Sequence, residues 1–185
     1  MRPPRIEAAV AAVAGVCLLL ALLLGLTPVL TAFTAHEGTT LVPSALGVPF
    51  ALPALRVVPL GSTGWTRLLC EDFAVAVLVT VAAVRMRRHL RLHPDASRLR
   101  RLLAGWTALI AGAATAGAWR GLVTARMVES GPEGWIGYGV VGVVFGLVWG
   151  LMLGWSAGVA VLAVSIRQVP HHENSEPQKP SPSGA

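Results

Sequence analysis

Two adjacent acids, Glu71 and Asp72, interrupt an apolar stretch that begins at Trp65. Carboxylates in such a setting hold a proton, bind a cation or close an ion pair. On a helix whose inner end falls at Val84, they stand about 18 to 20 Å above that end at the helical rise. That depth is inside the outer leaflet of a bilayer, where an unpaired charge is costly. Two cations are in reach. Arg120, on the following helix, stands about 27 Å above that helix's inner end, and its long side chain reaches down. Arg67 precedes Glu71 by one helical turn. Being neighbours, the two acids point about 100° apart and cannot both meet one partner. The spacing predicts a structural ion pair. Rim acids touching water, or a proton or cation site, are the alternatives.

Other reactive patterns dissolve on inspection. Gly154 to Gly158 matches G-x-S-x-G around Ser156, but inside a helix rather than at a strand-to-helix turn. No histidine lies in any apolar run to serve Ser156 as a base. Gly137 to Gly142 matches G-x-G-x-x-G with no preceding strand, so nucleotide binding is rejected. His89 and His93 are four apart, yet arginines surround them and no third ligand is near. His171 and His172 sit in a polar tail. Cys17 and Cys70 lie at different depths, which argues against a bridge. No catalytic residue, metal site or cofactor is expected.

The elements that hold the acids follow from composition. Of 185 residues, 54% are hydrophobic and 13% charged, with mean hydropathy +0.65. Runs nearly free of charge span about 6–33, 65–84, 102–123 and 136–166. Each is long enough to cross a bilayer. The first follows Arg2 and Arg5 but is too long for a signal peptide and lacks a cleavage site, so a retained anchor is expected. The expected fold is an all-α membrane protein, a four-helix transmembrane bundle with N and C termini cytoplasmic. Its helices cover about 6–33, 65–93, 96–123 and 136–166, forming one domain over 1–166. Residues 34–64 form an outer loop, apolar and proline-rich, that lies as a lid on the helix ends. Residues 167–185 form a disordered cytoplasmic tail. Pro28 should kink or end the first helix, Pro94 should stop the second, and Asp95 should cap the third.

Arginine placement sets orientation. Eleven of the fifteen basic residues fall on one side, seven of them in the hairpin 85–101. That places the hairpin in the cytoplasm, against anionic lipid headgroups, and makes the charge of +6 topological rather than a nucleic-acid signature. The arginine-, alanine- and glycine-rich composition suits a bacterial plasma-membrane protein. Trp65, Trp119, Trp135 and Tyr138 near outer ends, and Trp106 near an inner one, form an aromatic belt. Trp149 falls at mid-membrane and should pack inward.

The stretch GVVFGLVWGLMLGWSAG places glycine at Gly142, Gly146, Gly150, Gly154 and Gly158. Each interior glycine costs about 1 kcal/mol against alanine in a helix. In a bilayer, close backbone approach through small residues outweighs that cost, because lipid is as apolar as leucine. The row predicts a glycine zipper, slanted for a crossing near −40°. Ala104, Ala108, Gly112 and Ala116 on the third helix are its first candidate partner; Ala113, Gly117 and Gly121 form a second small row. Packing within one chain is the leading expectation, and packing against a second copy, giving a homo-oligomer, the alternative. Functionally, these features point to a non-enzymatic accessory or assembly protein acting through helix packing, on its own kind or another membrane protein. The alternative is a small oligomeric transporter or channel using Glu71, Asp72 and Arg120.

Overall fold

The computed structural model describes residues 3–26, 53–55 and 64–167. Expectations for Pro28, most of the outer loop and the tail lie outside the described residues. Four helices make up nearly all of the rest: α1 (Pro3–Gly25), α2 (Trp65–Leu92), α3 (Arg98–Met127) and α4 (Pro132–Arg167). They close a ring in which α1 touches α2 and α4, α2 touches α3, and α3 makes its largest contact with α4.

Three helices are long and apolar enough to cross a membrane: α1, α3 and α4. Four were expected. Helix α2 falls short because Arg67, Glu71 and Asp72 at one end and the arginines from Arg85 at the other leave only residues 73–84 free of charge. Yet α2 runs antiparallel beside α3 along its length. Glu71 meets Arg120, Leu78 meets Gly112, and His89 lies near Arg100.

The interior is small and the exterior large. Ala9, Val13, Cys17 and Ala21 form the buried stripe of α1, whereas Leu18, Leu19, Leu22 and Leu23 point outward. Among the described residues no polar or charged residue is fully buried. Large apolar side chains outside and alanine and glycine inside are the arrangement that lipid favours, since helices there associate by close approach.

The glycines of α4 face α3 of the same chain. A Cβ on Gly150 would lie 2.7 Å from the Ile110 Cα, and one on Gly158 would lie 2.6 Å from the Leu102 carbonyl oxygen. Gly142 is closed by the Gly117 carbonyl, Gly146 by that of Ala113, and Gly154 by the Trp106 ring. The contact continues from Gly121 to the Tyr138 carbonyl. Backbone contact persisting along the whole row means the helices run side by side. A crossing near −40° would part them at the ends. Within this chain the groove is filled by α3. Gly112 also departs from expectation: it faces α2, against the Leu78 carbonyl and the Ala82 Cβ. The second small row of α3, not the first, matches α4.

Helix ends show further differences. Ser97, not Asp95, caps α3, its hydroxyl accepting from the Arg100 amide at 3.4 Å. α2 ends at Leu92 as the following Pro94 requires. α3 runs past 123 to Met127 and closes with Glu129 at φ 50°. The Ser130 amide then donates to the Ala125 carbonyl at 3.1 Å, a Schellman closure with glutamate in the left-handed place. Pro132 starts α4, where its missing N–H is harmless. Between α1 and α2, Pro53 is fully buried, and the Leu55 amide donates to the Ala21 carbonyl at 3.1 Å, so residues 53–55 lie against α1.

Candidate functional site

Glu71 and Arg120 meet between the N-terminal half of α2 and the C-terminal half of α3. Arg120 Nε lies 2.8 Å from Glu71 Oε2 and donates to Oε1 at 3.0 Å. The side chains are 13% and 28% exposed, respectively. One residue earlier on each helix, the Trp119 indole N–H donates to the Cys70 carbonyl at 3.2 Å. The Trp119 ring also packs on Phe73, with centroids 4.7 Å apart. These contacts are consecutive, so α2 and α3 are fastened at one level by an ion pair, an indole bond and an aromatic contact. Asp72, one position on, is half-buried and is itself engaged in an interaction.

The pair borders a small cleft. Arg67, Cys70, Glu71, Arg120, Thr124 and Met127 line it, around a space of about 30 Å³. A water needs roughly 10 to 15 Å³ by the same measure, so the cleft has room for a water or two. Thr124 is turned away to the Arg120 carbonyl, to which its hydroxyl donates at 2.9 Å. The arrangement can hold charge and a little water beside it. It offers no nucleophile with an adjacent base.

At the opposite end, the rings of His89 and His93 stack with centroids 5.0 Å apart and planes 24° from parallel. Stacking is not the convergence of two nitrogens on one ion. Among the described residues, no three His, Cys, Asp or Glu side chains gather to hold a metal. Burial, followed by electrostatic repulsion from His93, Arg100 and Arg85, holds the His89 imidazole below its ordinary 6.5. Cys17 and Cys70 are free thiols.

Sequence reasoning brought Glu71 and Arg120 forward and missed their neighbours. Trp119 and Trp106 read as belt residues, yet both donate their indole N–H across a helix interface, Trp106 to the Leu151 carbonyl at 3.2 Å. The available signal was their position, each on the face of α3 that carries small residues. Trp149 is half-buried and packs against the core, as its depth suggested. Among family models, curated proteins and solved structures, no match to this chain is found.

Proposed function

We propose that this chain is a multi-pass integral protein of the plasma membrane, with four spans and both termini cytoplasmic, that acts as a non-enzymatic accessory or assembly element. The observation that carries this reading is the use of polar and small residues for closure. The glycine row of α4 is filled by α3, and Glu71 is paired with Arg120 beside a small cleft. Such a body is rigid and chemically quiet. What it offers a neighbour is its outer surface, where Val144, Leu151, Met152 and Trp155 of α4 are exposed. Lipid, a second copy or another membrane protein meets it there. Nucleic acid has no place in this reading.

A photoreactive residue at position 151 or 155, activated in native membranes, tests it. The expected outcome is a discrete adduct with one protein, whether another copy or a different chain. Lipid adducts alone would remove the assembly reading. The small oligomeric transporter or channel is the second reading, supported by the polar cleft at Glu71. It requires ion flux in liposomes that Glu71→Gln abolishes, and the expected result is no flux.

A further inference from the structure

The α2–α3 turn carries a second cluster that the accessory reading leaves unused. Seven arginines fall between residues 85 and 101, against one acid, Asp95. Among the described residues, none of the seven forms a salt bridge with a carboxylate. Two polar atoms here are also buried without a hydrogen-bond partner among the described residues, Nε2 of His89 and Nε of Arg101. The Arg101 guanidinium is steadied by its Nη2, which donates to the Pro94 carbonyl at 3.4 Å. Its Nε–H can only donate. The charged and titratable groups facing His89 are His93 and Arg85 on its own helix and Arg100 on α3, all basic. What is missing is therefore an acceptor, and the surrounding charge makes it an anion. Leu92, Leu99 and Leu103 stand exposed among the arginines, as suits the boundary between headgroups and acyl chains.

We propose that the α2–α3 turn is a specific site for the phosphate of an anionic lipid, gripped by Arg101, with His89 as second donor and Arg85 and Arg100 around it. Phosphate matches the guanidinium fork, and its charge offsets the crowding of cations. Both inner nitrogens are covered by protein atoms, so the headgroup enters by parting the side chains above them. Binding favours the imidazolium form of His89, so affinity rises as pH falls. This differs from diffuse attraction, in which every arginine counts alike. It stands independently of the accessory reading.

The test uses the full chain in nanodiscs of phosphatidylcholine with or without phosphatidylglycerol. Lipid retained after delipidation is counted by native mass spectrometry, and thermal midpoints are recorded. Selective retention of phosphatidylglycerol, tighter at pH 6 than at pH 8, is expected. Arg101→Gln should weaken retention by roughly tenfold, and so should Arg101→Lys, which keeps the charge but loses the fork. Arg87→Gln, which removes an exposed charge, should change it by less than about threefold. His89→Gln should remove the pH dependence; should Arg101→Gln not fold, Arg101→Lys and His89→Gln carry the test. Equal losses from Arg87→Gln and Arg101→Lys would overturn the site in favour of diffuse charge. Equal stabilisation by inorganic phosphate would overturn the lipid as its occupant.

Discussion

Arg120 and Glu71 are each costly alone at their depth, and each cancels the other's cost. Removing one member of a buried pair costs about 3 to 5 kcal/mol because the other charge stays behind. With Glu71 28% exposed, a loss nearer to about 2 kcal/mol is expected for Arg120→Met. Adding Glu71→Gln should recover part of that loss, because the stranded carboxylate disappears. Thermal unfolding of the singles and the double in detergent decides it; strictly additive losses would show the contact to be incidental. His89 gives a residue-scale prediction with a sign. Its pKa is lowered in the folded chain, so folding favours the neutral ring. Stability is then complete above the unfolded value near 6.5 and falls as pH drops through the lower folded value. In neutral detergent the midpoint should decline between pH 7 and pH 5, and His89→Gln should flatten that decline. The ion pair was legible in the sequence because depth and reach follow from helical rise. The unpartnered nitrogens of His89 and Arg101 were not, because burial of a single atom is settled by how α2 and α3 meet.

At the scale of elements, the interface of α3 and α4 rests on what glycine lacks. A methyl group on Gly146 would collide with the Ala113 carbonyl, and a backbone cannot step aside as a side chain can. Gly146→Ala should therefore destabilise by about 1 to 3 kcal/mol, the usual range for overpacking. Gly137 lies in the same helix with nothing near its missing Cβ. There Gly137→Ala should stabilise, by up to about 1 kcal/mol of helix propensity. Likewise Gly150→Leu should lower the thermal midpoint far more than Val148→Leu, since Val148 is exposed and Gly150 abuts Ile110. Equal midpoints for the two leucine variants would mean that the row bears on lipid. The period of four was plain in the sequence; the row of α3 that lies against it was not. Ala104 to Ala116 and Ala113 to Gly121 are equally small, and the choice between them depends on which side of α3 receives α2. Gly112, committed to α2, shows how that choice fell. The Ser97 cap was missed for a local reason, because Asp95 and Ser97 both suit the position and chain direction after Pro94 decides.

For the molecule as a whole, the open issue is whether α2 crosses the membrane with the other three. Hydropathy speaks for α1, α3 and α4 alone. Packing adds α2, because it lies antiparallel to α3 from the level of Glu71 to that of His89. On the four-span proposal, a helix fastened along a span shares the depth of that span. The charges that lower its hydropathy are also the ones explained by depth: Glu71 is paired with Arg120, and the arginines from Arg85 onward gather at the turn end. Gly64, just before α2, and Asp95, just after it, are both exposed and report the two sides. Cysteines placed at positions 64 and 95, in a chain carrying Cys70→Ser, should react oppositely with a membrane-impermeant maleimide. Position 64 should label in intact cells, and position 95 only after the cells are opened, as the arginine asymmetry requires. Reversed labelling would invert the topology and leave four spans. Labelling of both from the same side would mean that α2 re-enters without crossing; the chain would then have three spans, with its termini on opposite faces.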